Sequence, residues 1–407
     1  MDMVAVSSPD CDIDMTKDPL RLRTENGRIY AEGTSLGGDD GIAVAYALAL
    51  LAAKDISHPR LEVILTVDEE TGMEGAMEID LSMLRGKRLI NLDQEEEGVI
   101  ITSCAGGARV DVTIPLRQEK VQTGQQQSMQ IGVKGLLGGH SGIEINKGRG
   151  NANYLLGSIL KELSEKFAVR LSSMQGGLAD NAIPKEAEAV ILVDISCSDA
   201  VAACVKEHED TIRQRLGDND PDFVVECKVV EQQENCFDLE STSRALNCLC
   251  SLPNGVIAMS KELEGLVQTS LNLGVVRLKQ DKLLLSYAVR SSVDADKEQL
   301  CSRMLEIAAK AGASAEVKNS YPGWAYRVDS PLREIVTSIY EEMYGKKPVL
   351  EAIHAGVECG ILTAKIDGLD CVSIGPDMSD VHTAQESLDI ASVQRMWNYL
   401  LKVLAYK

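Results

Sequence analysis

The sequence predicts an α/β protein, a mixed and mainly parallel sheet flanked by helices, interrupted by an inserted α+β domain. Three observations carry this. Strand-like and helical stretches alternate through the first hundred residues, a rhythm that indicates a parallel sheet with helices on its faces. The texture changes around Cys104-Ala-Gly-Gly107 and stays mixed to about Glu316. After Ser320-Tyr-Pro-Gly-Trp324 a helix over Leu332 to Tyr344 and a strand, turn and helix over Val372 to Leu404 resume the first pattern. The expected boundaries are therefore 1–107 and 317–407 for one domain and 108–316 for the insertion.

In order along the chain, Met1 to Ser7 reads as the tail of a strand already running, and Gly27 to Glu32 as a short hairpin. Gly33 to Gly41 is a glycine-rich turn that opens an apolar helix over Ile42 to Ala53. Such a turn can cradle phosphate, but Asp39 and Asp40 with no Lys argue against that here. Val63 to Val67, apolar and β-branched, reads as a short buried parallel strand ending in Asp68-Glu69-Glu70-Thr71-Gly72. A short helical region near Asp80 to Leu84 precedes a strand over Arg88 to Leu92 that ends at Asp93. Within the insertion, strands are expected at Val110 to Pro115, Ala187 to Asp194 and Phe223 to Val230. Amphipathic helices are expected at Ala152 to Phe167 and Ala200 to Leu216. A weak internal echo divides the insertion into two similar halves either side of about residue 235.

Of the 407 residues, 44% are hydrophobic and 25% charged, ordinary values for a globular chain. A net charge of −21 argues against a nucleic-acid or anionic-membrane partner, which needs clustered Lys and Arg, and is compatible with a cationic ligand. The 11 cysteines are odd in number and form no CxxC pair, a pattern of free thiols in a reducing cytoplasm. No apolar run reaches the roughly 18 residues of a membrane span, and no signal peptide opens the chain.

The chemistry is expected at strand ends, where open α/β sheets bind ligands. Asp68, Glu69 and Glu70 are adjacent acids that repel one another and are driven towards protonation unless a cation sits among them. Acids after a strand are commonly solvated turn residues, but these have company in the tips at Asp39-Asp40 and Asp93 to Glu97. Of the five histidines, His208 in a charged helix reads as a solvated surface group and His58 as structural. His140, His354 and His382 lie in turn-prone, surface-reaching segments where core packing is a poor explanation. His382 together with distant carboxylates is similar to a zinc shell of mixed imidazole and carboxylate ligands.

Seven segments together carry a resemblance: GGDDG (37–41), TVDEETGMEGA (66–76), NLDQEEEG (91–98), GGHSG (138–142), DNAIP (180–184), HAGVECG (354–360) and Gly375-Pro376 with Val381-His382. In this order they resemble the dinuclear zinc peptidases that include aminoacylases and carnosinases, nearest to the aminoacyl-histidine dipeptidase branch. The resemblance covers essentially the whole chain. It implies hydrolysis of dipeptides, Xaa-His of the β-alanyl-histidine type favoured. It further implies two Zn2+ per chain, replaceable by Co2+ or Mn2+, and an insertion that serves as lid and homodimer interface. By motif, Asp39 bridges the two ions, Asp93 ligates one, and Glu70 and His382 ligate the other. Glu69 is the general base and His140 holds the developing oxyanion. Asn181 and Arg290 hold the substrate backbone and its C-terminal carboxylate, while His354 and Glu358 line the cleft.

The family motif that begins the site reads His-x-Asp-Met-Val, whereas this chain opens Met1-Asp2-Met3-Val4. Asp2 then matches the carboxylate that orients a zinc-binding histidine, and that histidine would precede residue 1. The expectation from this motif is a shortened gene product or a mis-set start codon, with one incomplete zinc site and poor activity by itself. The competing readings are a tripeptidase or N-acyl amidohydrolase on the same scaffold, and a non-catalytic peptide-binding homologue.

Overall fold

The structure, a computed structural model, describes residues 3–122 and 124–406, with the backbone alone for Thr71. The chain divides into two compact units, one of residues up to Cys104 and from Pro322 onward, the other Ala105–Tyr321. Among the described residues no helix is long and apolar enough to cross a membrane.

The first unit is built on a four-stranded sheet in the order Val349–Ile353, Val99–Cys104, Asp370–Ser373, Arg88–Asn91. The two outer pairings are parallel and the central one, at Ser373 and Ile101, is antiparallel. Val99–Cys104 is buried along its whole length, because both faces of the sheet are covered. On one face Ile100 and Val372 pack with the helices Gly38–Ala52, Pro331–Tyr344 and Ile390–Leu404. On the other, Val99, Ile101 and Cys371 pack with Trp324 and Cys359. Helix Ile390–Leu404 buries Met396, Tyr399, Leu400 and Val403, one stripe at helical spacing, and Asp389 caps its start through Ser392 N. Where the chain leaves this unit and returns, Cys104 and Trp324 exchange both backbone hydrogen bonds at 3.0 Å. A small second sheet pairs the hairpin Leu22–Glu25 and Arg28–Ala31 with Ser387–Asp389 and Met378–Ser379.

Three expectations for this unit are corrected. Val63 to Val67 forms no strand: Val63, Leu65 and Val67 are 40%, 51% and 57% exposed while Thr66 between them is 7% exposed. The run has the twofold periodicity of a strand, but among the described residues no neighbouring backbone ladders onto it, and Arg88–Asn91 ends the sheet. Residues 80–84 form turns; the helices of this region are Glu69–Gly72 and Glu74–Glu78, and Gly75 N donates to Val67 O at 3.0 Å. Residues 3–7 meet the 33–35 segment through the single bridge Ser7 with Thr34 and through Ser35 N donating to Val6 O, without becoming a strand.

The second unit carries a nine-stranded sheet whose ladders are all antiparallel. It consists of two βαββαβ motifs. In the first, Gln126–Lys134, helix Ala152–Lys166, Arg170–Gly176, Ala187–Asp194, helix Ser198–Leu216 and Val224–Val229 follow in sequence, and the strands lie in the order 4-1-3-2. In the second, Gly106–Pro115, helix Leu239–Ser251, Val267–Lys279, Lys282–Ser291, helix Asp294–Lys310 and Ser314–Tyr321 adopt the same order. Each motif contributes its second strand to the join, at Val276 with Gly176. The first strand of the second motif thus precedes the whole of the first motif, so the repeat does not divide at a single residue near 235.

Gly375, just after Asp370–Ser373, has no room for a side chain: an added Cβ would lie 1.7 Å from Gln94 O, next to Asp93. We expect Gly375→Ala to destabilise the chain by about 1–3 kcal/mol, as overpacking against fixed backbone does. Urea unfolding checks this, and an unchanged midpoint would contradict the packing described.

Candidate metal centre

Each side chain of the centre is delivered by a tight backbone feature. Asp39 follows Gly37, which is left-handed at φ 68°, and is itself non-helical (φ −84°, ψ 106°) at the start of helix Gly38–Ala52. Glu69 and Glu70 open the short helix after Asp68, a non-glycine residue at φ 56°. His382 sits in a turn at φ 61°, where Thr383 Oγ1 donates to Asp380 O at 2.7 Å. Left-handed non-glycine residues cost energy and cluster at functional sites.

These features bring Asp39, Glu70 and His382 together, with one ligand atom of each within 4.8 Å of the others. His382 Nε2 lies 2.5 Å from Glu70 Oε1 and 3.2 Å from Asp39 Oδ2. Burial, then the charges of Glu95 and Glu70, push the Asp39 carboxyl up to about 6, with His382 acting in the opposite sense. Asp93 is pushed well above the usual carboxylate range, by burial first and then by Asp39, Glu69, Asp40 and Glu358. For His382, burial lowers the pKa, and the combined charges of Glu70 and Asp39 outweigh it, so the net shift is upward. Acids held in this state attract protons for want of a stronger cation. One imidazole and two carboxylates in coordinating reach form a donor set that suits a zinc-like divalent ion.

Asp93 lies outside this threefold group but within electrostatic reach of Asp39, Glu69 and Glu358. His354, expected near the surface, is 5% exposed: it follows the edge strand Val349–Ile353, whose residues pass from exposed at Val349 to half-buried at Ile353, so the chain runs inward there despite its turn-prone neighbours. His208 is likewise not a solvated group, since Glu162 Oε2 lies 2.9 Å from its Nε2 and its side chain is largely covered. Asp2 falls outside the described residues.

In the second unit, His140, Asn181 and Arg290 form their own group. His140 pairs with Ala182 in a two-residue ladder, and Asn181 O accepts from Ser141 N at 2.8 Å. Gly142 N and Ile143 N both donate to His140 Nδ1 at 3.3 Å, which leaves Nε2 to carry the ring proton. Burial and the nearby Arg290 lower the His140 pKa, so the ring stays neutral and keeps that donor at neutral pH. Arg290 is 9% exposed, and its Nε has no partner among the described residues. A buried guanidinium in this condition suits an incoming carboxylate.

One residue of the first unit went unsingled in the sequence. Glu386 is buried and accepts backbone N–H groups from the segment that carries Asp39. Its only sequence signal is its position four residues after His382.

An α/β unit with this donor set is the architecture of a metal-dependent hydrolase. The profile of Peptidase family M20/M25/M40 matches residues 1–406, and the chain belongs to this family. Hydrolysis in the family is metal-dependent. The chain is 36% identical over 404 residues to the cytosol non-specific dipeptidase of Escherichia coli (strain K12), covering 99% of this chain and 83% of that protein. Its fold superposes on the aminoacylhistidine dipeptidase of Vibrio alginolyticus with a TM-score of 0.94 at 36% identity, over 99% of this chain and 82% of that one. An aminopeptidase from Bacillus cereus ATCC 10987 shares the fold at 16% identity (TM-score 0.58, 95% of this chain and 76% of that one).

The raised carboxyl values set the pH dependence of the metal-free chain. Asp39 binds its proton more tightly folded (about 6) than at its ordinary 3.8, so its contribution to stability is complete below 3.8 and is lost as pH rises through about 6. Asp93 and His382 shift in the same direction. In chelator, the thermal midpoint is expected to fall between pH 5 and pH 7, and added zinc to restore it at pH 7. A midpoint indifferent to zinc at pH 7 would contradict this.

Proposed function

We propose that this chain hydrolyses dipeptides at a centre of two zinc ions, with Xaa-His of the β-alanyl-histidine type among its substrates. The observation that carries the proposal is the convergence of Asp39, Glu70 and His382 from three distant segments. The names of its two 36%-identical relatives, both dipeptidases, support the substrate class, and the cytosolic one supports a cytoplasmic location. They favour a dipeptidase over the tripeptidase, acyl amidohydrolase and binding-only readings.

In this reading Asp39 would be shared between the two cations, with Glu70 and His382 the further residues that would hold one and Asp93 a residue that would hold the other. Bound divalent ions supply Lewis-acid polarisation and make water nucleophilic near neutral pH, with Co2+ or Mn2+ able to replace zinc. Glu69, beside the ligand Glu70, takes the proton from the attacking water and returns it to the leaving amine. Its charge is felt at Asp93, which supports its place at the centre. The Nε2–H of His140 donates to the developing oxyanion, a role its fixed tautomer and neutral state support. Arg290 holds the terminal carboxylate of the substrate and Asn181 its backbone, while His354 and Glu358 complete the walls. The second unit also makes the homodimer; its short strand Gly255–Met259 exposes Val256, Ile257 and Met259.

Hydrolysis of β-alanyl-histidine with and without zinc, alongside metal stoichiometry, tests the proposal. Glu69→Gln is expected to lower kcat by about 10²–10⁴-fold while zinc binding is kept. His382→Ala loses zinc, and Arg290→Met raises KM more than it lowers kcat. Turnover by the Glu69→Gln chain at the parental rate would rule out the assigned base, and zinc-independent turnover would rule out the centre.

A further inference from the structure

The glycine-rich turn before helix Gly38–Ala52 does cradle an anion, and the anion is the protein's own. Glu386 Oε2 accepts from Leu36 N at 2.7 Å and Gly37 N at 2.9 Å, while Oε1 accepts from Gly38 N at 2.8 Å and Asp39 N at 3.2 Å. Four successive peptide N–H groups thus converge on one carboxylate that is 3% exposed. Turns of this kind form concave nests of N–H groups that bind anions. Gly37 gives the turn its left-handed backbone at φ 68°, a conformation that residues with a side chain rarely adopt.

Glu386 is itself anchored. It directly precedes strand Ser387–Asp389, which pairs with Arg28–Ala31 and Met378–Ser379, and its own N–H donates to Thr383 O at 3.2 Å. The segment 382–386 therefore meets the segment 36–39 twice: through the His382 ring on Asp39 Oδ2 and through the Glu386 carboxylate on the Asp39 backbone.

We infer that Glu386 is a positioning residue for the metal centre. It touches no ligand atom; it fixes the peptide planes that aim the Asp39 carboxylate and ties them to the turn that presents His382. A charged acceptor is needed, because all four partners are donors and a neutral amide would turn its NH2 against two of them. This inference rests on the reading of Asp39 and His382 as zinc ligands.

Zinc affinity of the full chain, measured by competition with a chromogenic chelator, tests it in the parent, Glu386→Gln, Glu386→Asp and Asp370→Asn. Asp370 is a control of the same unit, a buried carboxylate that accepts from Ser330 Oγ and Leu332 N. Glu386→Gln is expected to bind zinc about 10–100-fold more weakly, the usual cost of removing a support behind a ligand. Glu386→Asp keeps the charge and recovers part of the loss, whereas Asp370→Asn lowers stability with zinc affinity unchanged. Affinity of Glu386→Gln within about twofold of the parent, or an equal loss in Asp370→Asn, would overturn the inference alone. A parent that binds no zinc would overturn the centre as well. Amide exchange of the zinc-stripped parent needs no variant: Leu36 to Asp39 are expected to exchange slowly, and exchange at free-loop rates would overturn the positioning role.

Discussion

Like charges forced together in a partly dry site are the constraint on which the first unit depends. Asp39, Glu70, Glu95 and Asp93 share one region, and burial removes the water that would otherwise separate their charges. A folded chain can tolerate this by binding protons, by pairing with an imidazolium or by holding a divalent cation. The raised values of Asp39, Asp93 and His382 are the signs of the first two. Asp68, next to Glu69 and Glu70, and His382 both take left-handed backbones in this region.

The support behind the centre follows from the same constraint. A carboxylate that must stay close to others needs its own backbone fixed, and the nest of N–H groups around Glu386 does this without adding a positive side chain that would compete with a metal. The second unit handles charge in the opposite way. Arg290 is a buried cation beside a neutral imidazole, and the backbone bonds to His140 Nδ1 set which ring nitrogen keeps its proton. The first unit thus gathers acids, and the second sets a buried cation beside a neutral ring.

Much of this was legible in the sequence where the signal is local. Asp39, Glu70 and His382 stand out because glycine turns and acidic tips declare themselves in the chain, and family order adds the far-apart partners. Helices such as Ile390–Leu404 are legible through a cap and an apolar stripe that lie within one segment. What failed was non-local. Val63 to Val67 has the composition of a strand, but a strand requires a neighbour's hydrogen bonds, which no run of residues encodes by itself. His354 and His208 look exposed by their neighbours in sequence, yet burial depends on what folds over them. Glu386 was invisible because its partners are peptide N–H groups, which every residue but proline has. The two βαββαβ motifs were only faintly visible because the strand Gly106–Pro115 is separated from the rest of its motif by the whole of the other.

The most direct measurement of the central claim is zinc-edge anomalous diffraction from crystals of the chain grown with zinc. An anomalous peak within about 2.0–2.2 Å of Asp39, Glu70 and His382 donor atoms is expected. Peaks confined to other residues, with these three side chains unliganded at full zinc occupancy, would contradict it.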